Sequence, residues 1–230
     1  MQGNDNSSRK MTVTIKSSWD ALSWREYEQI EQILQTDIPY DYKAVHLVSV
    51  LTGMSVEDIE KLPINQFQKF IPAMEFLHTD PETHAHQFEY TINGREYDFK
   101  GKLTEISTAQ YIDYRSYMDE EDRDIVKLMT VFLIPKGHEY NDGYDMQQVL
   151  NDIGDMCWLD IRAAAFFFRL QLSTFILTLK SSLVKSIKKT KTDRKTKKEQ
   201  IKQIQESLDN TAYCLLFSES VNNQILASMM

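Results

Sequence analysis

The stretch Phe88-Glu-Tyr-Thr-Ile-Asn-Gly-Arg-Glu-Tyr-Asp-Phe99 decides the fold of this chain, because its pattern is that of a β-hairpin. The Asn-Gly pair at 93–94 suits a two-residue type I′ turn, since both positions of that turn need a positive φ angle. Counting outward from the turn places Tyr90 opposite Tyr97, and the phenylalanines at the two ends of the stretch opposite each other. Cross-strand aromatic pairs stabilise a hairpin, and their apolar face needs a cover. The sequence therefore predicts a small antiparallel sheet packed on helices.

Most of the remaining chain has the apolar spacing of amphipathic helices separated by short turns. A capping box, Ser23 with Glu26, marks the start of the first helix. Only Met11–Ile15 alternates like a further strand. The predicted class is α+β, mainly α: a small antiparallel sheet with an Asn-Gly hairpin packed on helices, and long C-terminal helices. The helices are predicted at about 24–35, 43–51, 55–63, 65–77, 108–117, 121–134, 145–153 and 158–187.

The chain divides by composition into three segments. Residues 1–10 are polar and predict a disordered arm, whereas residues 11–185 predict an α-rich core with the hairpin at 88–99. Residues 186–230 predict a basic link followed by a C-terminal helical extension. Its last helix carries an apolar stripe that needs a partner, because a short isolated helix is marginal in water. The predicted contact residues of that stripe are Tyr213, Phe217, Val221 and Ile225.

The composition excludes several classes of protein. Apolar residues make up 42% of the chain and charged residues 26%, which is ordinary for a globular protein. The two cysteines, Cys157 and Cys214, form no CxxC pair, so we expect neither a disulfide framework nor a cysteine-based zinc site. A reducing cytoplasm fits this usage best. The apolar stretch 157–184 is interrupted by charged residues, so no membrane span is predicted.

Charge is spread unevenly along the chain. The net charge is -8, yet ten of the 26 Lys and Arg residues lie between Lys180 and Lys202, against two of the 34 acidic residues. The basic segment therefore suits contact with an acidic surface of another copy, or it is a solvated linker. Nonspecific DNA contact is the alternative, although no aromatic residues are interleaved for base stacking. The predicted contact residues are Lys185, Lys188, Lys189, Lys191, Arg194, Lys195, Lys197 and Lys198.

Two clusters could carry chemistry. The segment His78–His86 contains three histidines and two acids, but it offers too few fixed ligands for a metal and is interpreted as a polar loop. The acids between Asp119 and Asp124 are explained by the start of a helix, whose dipole favours negative charge. Gly-rich phosphate loops and the common hydrolase motifs are absent from the sequence. We therefore expect no catalytic residues, no cofactor and no metal, and a protein that is not an enzyme.

Several stretches resemble small structural and assembly proteins of tailed bacteriophages, including crAss-like phages. The resemblance covers roughly residues 11–185 and is carried by caps, turns and apolar positions; the C-terminal extension falls outside it. It implies a virion ring or connector subunit, or a tail-assembly chaperone, and no catalytic residue carries over. The stretches are Trp19-Asp-Ala-Leu-Ser-Trp-Arg-Glu-Tyr27, Leu51-Thr-Gly-Met-Ser-Val-Glu-Asp-Ile59, the hairpin continued through Leu103-Thr-Glu-Ile-Ser-Thr-Ala-Gln-Tyr-Ile-Asp-Tyr114, Ile134-Pro-Lys-Gly137 with Tyr140, and Ala165-Phe-Phe-Phe168.

The expected function is that of a virion structural subunit, in a head-to-tail connector or tail ring, that acts by protein–protein packing. One alternative is a tail-assembly chaperone that is not retained in the virion, and a second is a DNA-contacting protein that uses the basic segment. The expected partners are other copies of the chain and neighbouring virion or tail proteins. The expected location is the virion, assembled in the host cytoplasm.

Overall fold

The computed structural model describes residues 13–102, 105–118 and 124–189, together with 195–196, 198–199 and 201–203. The chain divides into two compact units, one that ends at Glu82 and one that begins at Thr83. The sequence predicts one core over residues 11–185. It does not predict this division ahead of the hairpin. The predicted arm at 1–10 lies outside the described residues, as does residue 204 onward in the C-terminal extension.

The first unit is helical, and its caps follow the sequence closely. The predicted capping box is confirmed: the Glu26 N–H donates to Ser23 Oγ at 3.3 Å, and the Ser23 N–H donates to the Glu26 carboxylate at 2.8 Å. Ser55 caps a later helix by accepting from the Asp58 N–H. The helices of this unit are α1 (Trp24–Gln35), α2 (Tyr40–Thr52), α3 (Val56–Glu60) and α4 (Ile64–Phe67), with 3-10 turns at Trp19–Ala21 and Ile71–His78.

Two predictions for this unit are wrong. The described part of the predicted strand Met11–Ile15 forms no strand; its neighbour Lys16 makes one backbone hydrogen bond, to the Leu51 carbonyl at 3.0 Å. The single helix predicted at 65–77 is instead α4 followed by a 3-10 segment. Pro72 explains the break, because proline lacks the N–H that an α-helix needs and its ring clashes with the preceding turn.

The second unit contains a three-stranded antiparallel sheet in the order β1 (Glu89–Ile92), β2 (Arg95–Phe99), β3 (Leu133–Pro135). The predicted hairpin is confirmed: Tyr90 pairs with Tyr97, and the turn residues have φ angles of 50° and 75°. The Phe99 N–H donates to the Phe88 carbonyl at 2.7 Å, as the predicted register requires.

The third strand forms where the sequence predicts the end of a helix. The helix expected at 121–134 is confirmed at α6 (Ile125–Met129) but is wrong beyond it, because the chain then forms β3, which pairs with β2. The run from Val131 to Ile134 is completely buried. A continuous apolar run of this length is typical both of a buried strand and of a buried helix, so periodicity cannot separate the two.

Helices cover the sheet, and the predicted mainly helical α+β class is confirmed, since helices account for 60% of the structure. The long helix α8 is 32 residues, about 48 Å at the usual rise of 1.5 Å per residue. Its first turns pack on the core, where the Phe168 ring lies 5.0 Å from Tyr114 and 4.1 Å from Phe132. Within the described chain, no helix combines the length and apolar character needed to cross a bilayer. The helices of this unit are α5 (Thr108–Met118), α6, α7 (Met146–Asp155) and α8 (Trp158–Lys189).

Candidate functional site

The second unit has a polar cleft where β1 faces the junction between α7 and α8. The cleft has a volume of about 280 Å³ and is open to solvent on one side. Its walls combine hydroxyl, amide, carboxylate and thiol groups with the apolar side chains of Ile92 and Met156. The lining residues are Gln87, Tyr90, Thr91, Ile92, Asn93, Asp155, Met156, Cys157 and Asp160.

Three side chains with metal-binding groups meet at one edge of this cleft: His84, Cys157 and Asp160. Their ligand atoms all lie within 4.8 Å of one another. His84 Nδ1 lies 2.8 Å from Asp160 Oδ1, and the two side chains are 32% and 21% exposed. Cys157 directly precedes α8, and the Asp160 N–H donates to its carbonyl, so the thiol and carboxylate share one face of the helix start. The site is therefore reachable from solvent yet partly desolvated.

His86 has a different environment, although it lies only two residues from His84. Its ring stacks on Phe167 at 4.1 Å with an interplanar angle of 17° and meets the edge of Phe99 at 4.5 Å. Nδ1 lies 3.2 Å from the Tyr90 hydroxyl, whereas Nε2 is buried without a hydrogen-bond partner. Burial lowers the pKa of His86 to about 4, so the imidazole is neutral at pH 7. It is a packing residue of the aromatic core.

Tyr90 connects the aromatic core to the cleft. Its ring is buried on β1, and its hydroxyl accepts the Gln87 N–H at 3.2 Å. Burial, with the charge of Asp160 as a lesser cause, raises the pKa of Tyr90 to about 12. The hydroxyl is therefore protonated at neutral pH and serves as a neutral hydrogen-bonding group on the wall of the cleft.

A buried carboxylate fixes the hairpin on α7. Asp152, with a side chain 1% exposed, accepts from Arg95 at 2.8 Å, from the Tyr97 hydroxyl at 2.5 Å, and from Asn93 and Gln148 at 3.0 and 3.1 Å. Burial by itself would raise the pKa of Asp152, but these hydrogen bonds together lower it below its ordinary value. The turn, β2 and α7 thus meet at one ionised group.

Comparison with protein-family models, curated proteins and solved structures found no match.

The structure separates the histidines that the sequence groups together. His84 joins the acidic cluster, His86 enters the aromatic core, and His78 belongs to the first unit. Asp124 caps α6 by accepting from the backbone of the first turn at 2.8 Å, which agrees with the helix-start interpretation of that acidic group. Residues 119–123 lie outside the described chain.

The predicted partner-contact residues are only partly described. Lys185 and Lys189 are exposed on α8, and Lys195 and Lys198 are exposed in helical residues beyond it. Lys188 is also helical. The remaining members of the set lie outside the described residues: Lys191, Arg194, Lys197, Tyr213, Phe217, Val221 and Ile225.

Sequence reasoning missed Cys157 and Asp160 as partners of His84. The available signal was their spacing of three residues at a helix start, which brings a thiol and a carboxylate to one face. His84 lies 73 residues before the cysteine in the chain. Only the tertiary fold brings it to Cys157 and Asp160, so local sequence patterns cannot predict the contact.

Proposed function

We propose that this chain is a structural subunit of a tailed-phage particle, in the head-to-tail connector or a tail ring. It acts by packing against copies of itself and against neighbouring virion proteins, and not by catalysis. The observation that supports this proposal best is the surface of α8, which carries apolar side chains into solvent.

One face of α8 belongs to the core, and the opposite face does not. Ala164 and Phe168 are one turn apart and buried, whereas Phe166 and Leu170 are 64% and 56% exposed. Because each residue advances about 100° around a helix, positions 166 and 170 lie on the side away from 168. Two large apolar side chains one turn apart on an exposed helix face can pack against another protein.

The helix α8 continues well beyond this pair. From Leu170 to Lys189, none of the side chains that the structure describes is buried, although the helix continues for about five turns. An isolated helix gains little stability from its own backbone, and most helices are held by packing of an apolar face. Contact with a second copy would supply that packing.

Charge favours a second copy as the occupant. The basic segment that begins on α8 belongs to a chain whose remaining residues are strongly acidic. The basic segment of one subunit can contact the acidic remainder of the next subunit in a head-to-tail arrangement. Such a contact joins two different patches, and it closes into a ring when the rotation between neighbouring subunits brings the last subunit back to the first. The same charges hinder a symmetric contact between two basic arms.

Sedimentation velocity of the purified chain tests the proposal. We expect a concentration-dependent oligomer that the double variant Phe166→Glu, Leu170→Glu dissociates. Burial of each of these apolar side chains on association contributes about 1–2 kcal/mol. Loss of both contributions therefore raises the dissociation constant by about 30- to 1000-fold. Ile64→Glu is the matched control, because Ile64 is a large apolar side chain that is 70% exposed on α4 and does not belong to α8.

A wild-type chain that stays monomeric at high concentration contradicts the proposal. If the double variant still forms the oligomer, the contact between subunits does not use Phe166 and Leu170 of α8. Mass spectrometry of purified particles then separates a retained subunit from an assembly chaperone, which binds a tail component but leaves before the particle is complete.

A further inference from the structure

We propose that His84, Cys157 and Asp160 bind a zinc ion, with a fourth coordination position open to the neighbouring cleft. This site is independent of the packing function proposed above, and it revises the expectation that the chain contains no metal site.

The three side chains are the ligand types that zinc prefers. Zinc is bound in proteins by cysteine sulfur, histidine nitrogen and carboxylate oxygen, at about 2.0–2.3 Å. Ligand atoms around such an ion lie about 3–4 Å apart. The cluster atoms lie within 4.8 Å of one another, so small side-chain rotations bring all three to bonding distance.

The short contact between His84 and Asp160 has to open on binding. Their atoms lie 2.8 Å apart, which is a hydrogen-bond distance and somewhat shorter than two ligands of one ion. The hydrogen bond between the two groups is then replaced by bonds to the ion. The pair therefore holds both groups in place before the ion arrives.

An ordinary ion pair is the competing explanation, and it accounts for His84 and Asp160 alone. It gives no reason for a thiol at the same point, contributed by the start of α8 while the histidine comes from the segment before β1. A site with three protein ligands also leaves one position for water, as catalytic zinc sites do. Here Cys157 and Asp160 line the cleft, which supplies both the entry route and space for that water.

The ligand set also selects among metals. Magnesium and calcium prefer sites made of oxygen atoms, whereas thiolate and imidazole favour zinc and its close relatives. Cobalt(II) is a suitable probe, because it takes the same geometry as zinc and gives an intense near-ultraviolet band when a thiolate binds it.

The experiment is a cobalt titration of the full chain after chelator treatment. We expect one equivalent of cobalt to produce the thiolate band in the wild type, and zinc to abolish it by displacement. Cys157→Ser should lose the band. Cys214→Ser is the matched control, because it removes the only other cysteine of the chain and should leave the band unchanged.

A second measurement protects the test against a variant that misfolds. Zinc should suppress alkylation of Cys157 in the unmodified wild-type chain, read from the mass of the peptide that contains it. The proposal is overturned if the wild type gives no band, if Cys157→Ser retains it, or if zinc leaves the alkylation of Cys157 unchanged.

Discussion

Removal of the Asp152 carboxylate is the sharpest test of how the second unit is held together. Asp152→Ala deletes the acceptor that the turn, β2 and α7 share, while leaving the apolar sheet residues in place. The Tyr97 hydroxyl, on a side chain 1% exposed, then has no acceptor, and the Arg95 guanidinium loses its buried counter-ion.

The expected loss follows from these contacts. Breaking a buried ion pair by removing one partner costs about 3–5 kcal/mol, and a buried hydroxyl without a partner costs about 1–3 kcal/mol. Arg95 has a half-exposed side chain that water can rehydrate, so its contribution lies below that range. We therefore expect Asp152→Ala to destabilise the second unit by about 3 kcal/mol. Asp155→Ala, on the exposed side of α7, should cost less than about 1 kcal/mol.

Hydrogen exchange read by mass spectrometry gives the assay, because it reports each unit separately. A loss of about 3 kcal/mol raises the exchange rate of amides in the peptide 88–99 by about 100-fold when closing is faster than exchange from the open state. Peptides from 24–52 serve as the internal reference in the first unit. If the hairpin amides of Asp152→Ala exchange at the wild-type rate, the buried carboxylate is not what holds the hairpin to α7.

Three further predictions concern the hairpin, pH and the C-terminal extension. Gly94→Val should destabilise the second unit by about 1–2 kcal/mol in urea unfolding, because a β-branched residue resists the φ of 75°, whereas Gly94→Asn should be milder. Burial lowers the folded-state pKa of His86 from 6.5 to about 4, so stability should fall as pH drops between those values, and His86→Phe should flatten that fall in a series of melting curves. Deletion of residues 188–230 should leave the circular dichroism of the remaining helices intact but weaken self-association in sedimentation; loss of the folded signal would instead place the extension in the core.

The sequence predicts those parts of the fold that short-range chemistry determines. The hairpin register follows from Asn93-Gly94, because few residue pairs accept two positive φ angles in succession. The start of α1 follows from Ser23 and Glu26, whose side chains satisfy each other's backbone N–H groups. The start of α7 has a similar reason, since Asp145 accepts from the N–H groups of Gln147 and Gln148. Each of these decisions is made within about four residues, so no tertiary information is required.

The errors at β3 and at 65–77 have different causes, the first a tertiary contact and the second a local signal. The run ending in β3 is apolar at every position, and its strand state comes from pairing with β2. A helix would bury the same side chains but would leave the outer edge of β2 without a hydrogen-bonded neighbour. Residues 65–77 have the apolar spacing of a helix, but Pro72 interrupts the α-helix. Pro72 is a local signal, and the prediction of one continuous helix gave it less weight than the apolar spacing.

The candidate site depends even more on tertiary structure, and the two histidines illustrate why. On an ideal strand His84 and His86 would point to the same side and look like a pair of ligands. The structure gives the segment before Glu89 no strand pairing of its own, so the two side chains are free to take different directions. His86 is held by stacking on Phe167 with its Nε2 buried, so it does not join the cluster of His84, Cys157 and Asp160. His84 is left to meet Asp160, and α8 brings Cys157 with it. The packing of one histidine thus determines the chemistry open to the other: a His86→Ala variant that releases the segment should weaken cobalt binding at Cys157 although residue 86 contributes no ligand.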